Sequence, residues 1–453
     1  MSLPEPAPAK TSEVERLSGW GNHPIAPAKL TRPERRRGLR PIGASSLARG
    51  QGRSYGDAAL NSLGTVVLTE RLDRMLGFNS ETGDLTAEAG ATLEDVIEAL
   101  IPHGWFLPVT PGTRFCSLGG CLAADVHGKN HHVAGSFSNH VRSFELVRPD
   151  GATAWVTPQE DAGLFWATAG GMGLTGMVST LTLRLKRVET SWMAVQHSPA
   201  RTLDELFDLL DDPAHDATYS VAWIDGMAAG PHLGRGVLMT GEHAALDQIP
   251  GGRAALEWRP KRAKPFPFDL PGWALNPFTI RLGNSIYHWL QGRRGRFLCP
   301  IEPFFYPLDA IHGWNRMYGK RGFLQYQFVA PPETARATVR TVIQSLADGG
   351  YGSFLGVLKK FGSQGEGMLS FPMPGLTLAL DLPMRTGIEA VLDRMDDIVA
   401  DAGGRVYLAK DARLSRAAFE RMYPRLPEFR QVREACDPSS RLSSDLARRL
   451  GLA

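Results

Sequence analysis

Three glycine-rich clusters sit close together in the first half of the chain and constrain the fold more than any other feature. The first is Gly50-Gln51-Gly52-Arg53-Ser54-Tyr55-Gly56-Asp57. The second runs from Pro108-Val109-Thr110-Pro111-Gly112-Thr113 through Leu118-Gly119-Gly120 to Ala123-Ala124-Asp125-Val126-His127-Gly128-Lys129-Asn130. The third is Gly170-Gly171-Met172-Gly173-Leu174-Thr175-Gly176-Met177-Val178. Glycine lets successive N–H groups converge on an anion and lets backbone approach a flat ligand closely. One such cluster alone reads as a surface turn. Three in succession point to a large cofactor wrapped by main chain. The first is not a dinucleotide fingerprint, because a polar loop rather than a helix follows it.

Around the clusters the patterning is α+β, antiparallel in flavour, without a clear βαβ series. Thr65–Leu68 and Leu85–Ala89 read as strands. Thr92 is placed to cap a helix with Asp95 in its first turn. Leu93, Val96, Ile97, Leu100 and Ile101 follow at helical spacing, and Gly104 stops it. Ser143–Val147 and Ala152–Val156 flank the hairpin signal Pro149-Asp150-Gly151. FLQYQFV (323–329) and LTLALDL (376–382) alternate like half-buried strands, and the tail from Ala418 to Leu450 reads as helical.

A chain of 453 residues exceeds one ordinary core, so two domains are expected. A break near Lys186–Ser191 suggests a first domain over 1–190 and a substrate domain over 191–404 built on an antiparallel sheet. The segment 405–453 then returns to the first domain.

A net charge of +3 gives no global field for nucleic acid. Cys116, Cys121, Cys299 and Cys436 form no C-x-x-C pair and read as free, mostly buried thiols. His131, His132 and His140 lack a carboxylate or thiolate at ligand spacing and read as solvated surface residues, so no metal is expected. Met1–Lys10 lacks an apolar segment of the secretory kind, and no long apolar run spans a bilayer. The expected location is cytoplasmic or peripheral to a membrane. Two basic segments bear on that. RPKRAKPFPFDLPGW (259–273) interleaves proline with aromatics and cannot be a regular helix or central strand. Arg293-Arg294-Gly295-Arg296 follows. Phe266, Phe268 and Trp273 suit a membrane interface, and a solvated loop is the competing reading.

GRSYGD, then PGT…LGG…HGK, then GGxGLTG, in that order, resemble the PCMH-type FAD-binding domain of the vanillyl-alcohol-oxidase superfamily. The longer string HGKNHHVAGSFSNHVRS is more specific. With WNRMYGKRGFLQYQ, LSFPMPG and SDLARRL, it resembles the decaprenylphosphoryl-β-D-ribose 2-oxidase family over nearly the full length. The resemblance implies a two-domain PCMH-type fold and oxidation of a ribofuranose C2 hydroxyl to a 2-keto sugar. That is the first half of an epimerisation to the arabinose donor of cell-wall or glycan synthesis. It also implies a polyprenylphosphoryl sugar substrate, a keto-sugar reductase partner and a membrane surface. A soluble sugar or aldonolactone oxidase, or a non-catalytic flavin- or lipid-binding protein, are the rival readings. Retention of Tyr55, His127, Lys129 and Lys410 counts against the last.

By the same resemblance, FAD is held by Arg53, Ser54, Tyr55, Gly56, Gly112, Ser117, Gly119, Gly120, Ala124, His127, Val178 and Tyr407. Lys129, Trp223, Tyr306, Gln325, Gln327, Lys359 and Ala379 are implied on the substrate side. Lys410, His127 and Tyr55 are the catalytic candidates, Lys410 matching the family's lysine in Tyr407-Leu408-Ala409-Lys410-Asp411. Two departures matter. Many relatives carry histidine at the position of Arg53 and attach FAD through it; arginine cannot form that bond, so FAD is expected to be noncovalent. Relatives also place asparagine and cysteine at Thr377 and Ala379, facing the substrate cavity, so substrate contacts are expected to differ there.

Overall fold

The computed structural model describes residues 14–260, 263–271, 275–353 and 355–452. The leader reading at Met1–Lys10 and the interface candidate Trp273 lie outside them. Among the described residues, no helix is long and apolar enough to cross a membrane.

The architecture is α+β, and local signals place several of its parts. Thr92 accepts the Asp95 N–H at 3.2 Å, and the Asp95 carboxylate takes the Thr92 N–H at 2.8 Å. The resulting helix, Leu93–Leu100, turns Leu93, Val96, Ile97 and Leu100 inward, and Gly104 ends the following turn at φ 76°. The hairpin Val141–Val147/Thr153–Val156 forms as expected, with Gly151 at φ 90°. It belongs to a five-stranded antiparallel sheet in the order Met75–Asn79, Asp84–Glu88, Met177–Arg184, Val141–Val147, Thr153–Val156.

A smaller sheet departs from the antiparallel expectation. Its order is Glu15–Ser18, Ile25–Thr31, Thr65–Leu68, Ser46–Arg49, and Thr65–Leu68 pairs in parallel with both of its neighbours. That strand is buried throughout, as a strand covered on both faces must be. A parallel partner needs a crossover, and residues 50–64 supply it. The first glycine cluster thereby emerges from the carboxyl end of Ser46–Arg49, the end at which parallel strands present ligand loops.

The largest sheet has eight antiparallel strands. Their order is Arg296–Pro300, Trp192–Ala200, Gly236–His243, Tyr219–Ile224, Gly356–Phe361, Gly375–Pro383, Phe323–Ala330, Arg405–Val406. Register fixes its two faces. Gln327 and Val357 both stand opposite Ala379, Gln325 opposite Asp381, and Lys359 opposite Thr377. These share one face with Trp223, which stands opposite Val357. The alternate residues, among them Phe328, Leu358, Leu378 and Leu380, are fully buried. On that side, helix Pro332–Asp348 covers the two strands Gly375–Pro383 and Phe323–Ala330, and helix Ile388–Asp401 also packs on Phe323–Ala330.

Phe328 pairs with Val406, so the chain leaves this sheet only beyond Val406. The tail is three short helices, Arg416–Met422, Leu426–Cys436 and Asp445–Leu450, each opened by a break in the pattern. Arg449 reaches back to Asp57 at 2.7 Å and Asp411 at 2.8 Å, clamping the first glycine loop to the returning segment. The closest approach is at Gly56, where a Cβ would stand 1.8 Å from the Asp411 carbonyl oxygen. Gly56→Ala should therefore destabilise the protein by about 1–3 kcal/mol, the usual range for overpacking, with a lower denaturation midpoint at unchanged slope. A midpoint equal to wild type would mean that the seam gives way without cost.

Candidate active site

Between the polar face of the large sheet and the glycine loops lies a cavity of about 880 Å³, near the top of the range of roughly 300–1,000 Å³ for ligand sites. All three glycine clusters reach it: Gly50–Tyr55, Thr110–Thr113 with Ser117–Lys129, and Met172, Gly173, Gly176 and Val178 each contribute lining residues. A Cβ added at Gly112 or Gly173 would meet no protein atom within 4 Å. The buried Asp125 carboxylate, accepting from Ser136 Oγ, Ser370 Oγ and the Ser138 N–H, pins the loop that carries His127 and Lys129.

The donors in this cradle divide into used and unused. The Gly119 N–H goes to the Ala89 carbonyl and the Gly120 N–H to Ser117 Oγ. These two glycines therefore supply close approach rather than open donors. By contrast, the N–H groups of Gln51, Gly52, Arg53 and Ser54 meet no acceptor among the described residues. Arg53 Nε and His127 Nδ1 are buried and also lack one. Unpaired buried donors are rare in folded proteins unless a ligand takes them. A glycine cradle with four open amides and a guanidinium fits the diphosphate end of FAD, and the flat cavity beyond it fits the ring. The Arg53 guanidinium is itself sandwiched, 4.4 Å from the Trp20 ring and 5.1 Å from Phe115.

Three lysines give the lining positive charge. Lys129, Lys359 and Lys410 open onto the cavity yet are surrounded by protein. Burial pushes Lys410 down to about 8, against the attraction of Cys116 and Asp381. Burial likewise takes Lys129 to about 8, and takes Lys359 to about 7 with repulsion from Lys129 and Lys410. Lys129 donates to the Phe304 carbonyl, and Lys410 Nζ lies 3.8 Å over the Tyr55 ring. Burial holds the Tyr55 hydroxyl well above its ordinary range and keeps His127 well below its own.

A short hydrogen-bond chain fixes the His127 tautomer. Thr377 Oγ1 donates to the Phe328 carbonyl, so it accepts from the Gln327 amide at 3.2 Å. The same amide nitrogen lies 3.0 Å from His127 Nε2. Nε2 is thus an acceptor, the ring proton sits on Nδ1, and His127 presents a donor rather than a base.

Of the residues implied by the resemblance, all but two line the cavity. Gly56 does not: it is spent on the contact with Asp411. Tyr306 does not either, being wholly buried with its hydroxyl 2.7 Å from Thr110 Oγ1, where it props the second loop. Thr377, expected to face the substrate, is buried against Gln327 instead, while Ala379 does line the cavity. His131 is not a solvated histidine; it is buried with its ring 4.4 Å from Phe361. The four thiols are free, as read; Cys121 is buried and the other three are half-buried. Cys116 lines the cavity, its thiol lowered by a hydrogen bond with Cys121 against burial, with Lys410 and Arg53 helping.

Sequence reasoning missed Asp381. It is buried, accepts from Gln325 and Tyr318, and is pushed up to about 7 by burial despite Gln325 and Lys410. Its only signal was a carboxylate within an apolar strand.

Comparison with known proteins agrees with this geometry. A model of the FAD binding domain matches residues 42–157, and one of D-arabinono-1,4-lactone oxidase matches 378–450. The chain is 37% identical to decaprenylphosphoryl-beta-D-ribose oxidase of Mycolicibacterium smegmatis, over 97% of this chain and 98% of that protein. L-galactono-1,4-lactone dehydrogenase 1 of Oryza sativa subsp. japonica is 28% identical, over 38% of this chain and 27% of its own. L-gulonolactone oxidase of Mus musculus is 27% identical, over 38% of each.

The lysine wall makes ligand binding pH-dependent. Each lysine holds its proton less tightly here than in the unfolded chain. From about pH 7 up to the ordinary lysine range, the unfolded state therefore carries more protons, and ligand-free stability should rise with pH. A bound anion reverses the depression. Binding of a short prenyl phosphate at pH 8 should take up roughly one to two protons, read by calorimetry in buffers of different ionisation enthalpy. Zero uptake would mean that the lysines do not receive the phosphate.

Proposed function

Because the chain belongs to the decaprenylphosphoryl-β-D-ribose oxidase family, we propose that it oxidises the ribose C2 hydroxyl of a polyprenylphosphoryl-β-D-ribofuranose to the 2-keto sugar, using FAD. Bound FAD supplies the acceptor for the hydride that leaves C2. The observation that carries the substrate reading is the wall formed by Lys129, Lys359 and Lys410. Enclosed lysine side chains answer to an anion, and a lipid phosphodiester brings one where a free lactone does not. The lactone-oxidase match covers residues 378–450, which hold neither Lys129 nor Lys359.

Each residue then has a distinct task. Gln51 to Ser54 hold the diphosphate through backbone N–H groups. Lys129 and Lys359 receive the substrate phosphate, with Trp223 and Gln325 beside them. Lys410 is the base for the C2 hydroxyl proton. Tyr55 holds its own proton too tightly for that role, and His127 offers a donor. A lysine depressed to about 8 is neutral in a useful fraction near neutral pH. The keto sugar requires a separate reductase to complete an epimerisation. The apolar chain of the substrate calls for peripheral contact with a membrane.

Anaerobic flavin reduction by polyprenylphosphoryl ribose, compared with free ribose and aldonolactones, tests the assignment directly; bleaching by lactones alone would overturn it. Lys410→Ala should keep FAD yet reduce the flavin at least about 100-fold more slowly. Lys410→Arg keeps the charge but cannot take a proton, and should not rescue the rate; full rescue would make Lys410 an electrostatic group only. With Arg53 at the tether position, acid precipitation should release all the yellow colour into the supernatant. Flavin left on the denatured chain would contradict noncovalent binding.

A further inference from the structure

Helix Pro277–Gly292 is amphipathic in an unusual sense, since Ile280 and Asn284 are its only buried residues. Phe278, Leu282, Ile286, Trp289 and Leu290, spaced to form one stripe, are 74, 53, 50, 53 and 49% exposed. A contiguous apolar face of this kind marks an interaction surface. Its charge setting is one-sided: between Asp269 and Glu302 the chain has no carboxylate but carries Arg281, Arg293, Arg294 and Arg296. Arg293 lies 4.1 Å over the Trp289 ring and Arg294 3.9 Å over Phe297, pairing cation with aromatic at the end of the helix.

The position of this helix gives the stripe a purpose. Thr279, Ile280, Gly283, Asn284 and Tyr287, on the adjoining face, line the cavity. Ile311, His312 and Gly313 line it too and form a second lip, with Ile311 and His312 exposed. The Pro-interleaved basic stretch forms the outer part of that second lip. Lys264-Pro265 pairs with Ile311-His312, Arg316 donates to the Phe266 carbonyl, and Phe268 is left exposed.

We propose that the outer face of helix Pro277–Gly292 docks on an anionic lipid bilayer and turns the cavity mouth toward it. The stripe seats in the headgroup–acyl boundary, Trp289 and the arginines sit at headgroup level, and a lipid phosphate passes between the lips without crossing water. This rests on the lipid-borne substrate read above, and it moves the main membrane contact from the 259–273 stretch to the helix.

Flotation of the full-length FAD-loaded protein with phosphatidylcholine vesicles, with and without phosphatidylglycerol, tests it. Wild type should float with the anionic vesicles. The variant Leu282→Ser/Ile286→Ser/Trp289→Ser, which alters no cavity-lining residue, should partition at least about tenfold less. Arg293→Gln/Arg294→Gln should lose most of the gain from phosphatidylglycerol. Both variants should retain FAD and be reduced normally by a short-chain, water-soluble prenylphosphoryl ribose. Equal flotation of wild type and triple variant overturns the proposal. So does a wild type that does not float but dissociates from dimer to monomer in the triple variant, which would make the face a contact between copies. Helix-dependent flotation with no flavin reduction by any prenylphosphoryl ribose would uphold the docking face and remove the substrate reading instead.

Discussion

The site depends on one seam, where the returning segment 407–411 is stitched between the first glycine loop and the large sheet. The Tyr407 N–H donates to the Gln327 carbonyl at 2.9 Å, and the Tyr55 N–H donates to the Ala409 carbonyl at 3.0 Å. Two bonds thus join a loop, a strand and a turn that are far apart in sequence. The Tyr407 hydroxyl adds a third anchor on the Ala124 carbonyl at 2.8 Å. With these in place, Lys410 has no route to solvent except through the cavity. Enclosure, rather than any particular partner, sets its proton affinity: burial is the larger influence and its carboxylate neighbour Asp381 the smaller.

Enclosure also explains why positive charge gathers on one wall. A lone buried ammonium shifts its pKa or finds a partner. Here three sit near one another, and Lys359 is depressed further by the other two. Such an arrangement costs stability in the ligand-free protein and is relieved when an anion arrives. Under the substrate reading proposed above, that relief would add to the affinity for phosphate.

Features legible in the sequence were those whose meaning is local. The Thr92–Asp95 cap, the Gly151 hairpin and the glycine clusters are each fixed by a few adjacent residues, and each formed as read. What escaped depended on register or on distant contacts. Thr377 and Ala379 are two apart on one strand and were both expected to meet substrate. Yet the fate of Thr377 is set by Gln327 across the strand pair, which no local pattern reveals. Gly56 looked like part of a phosphate nest because it belongs to one in sequence, while its space is occupied by a carbonyl more than three hundred residues on. The parallel pairing of Thr65–Leu68 was hidden because four buried apolar residues read alike in either direction.

The two candidate membrane faces were not equally legible in the sequence. Dense lysine, arginine and aromatic residues over 259–273 drew attention, although Arg259 is paired with Glu257 and Phe266 is half buried. The stronger signal was an absence, the lack of any carboxylate from Leu270 to Ile301 on a helix whose apolar residues exceed what its packing needs. A helix that covers a core hides its apolar stripe; this one turns most of it outward and uses the adjoining face to wall the cavity. On the docking proposed above, the same sixteen residues would set lipid and cavity one helix diameter apart, on the order of 10 Å. Lys129 and Lys359 line the same cavity and would meet a phosphate that enters it from the headgroup layer. A mouth coupled to the bilayer in this way would let the enzyme act on a substrate whose apolar part never needs to enter water.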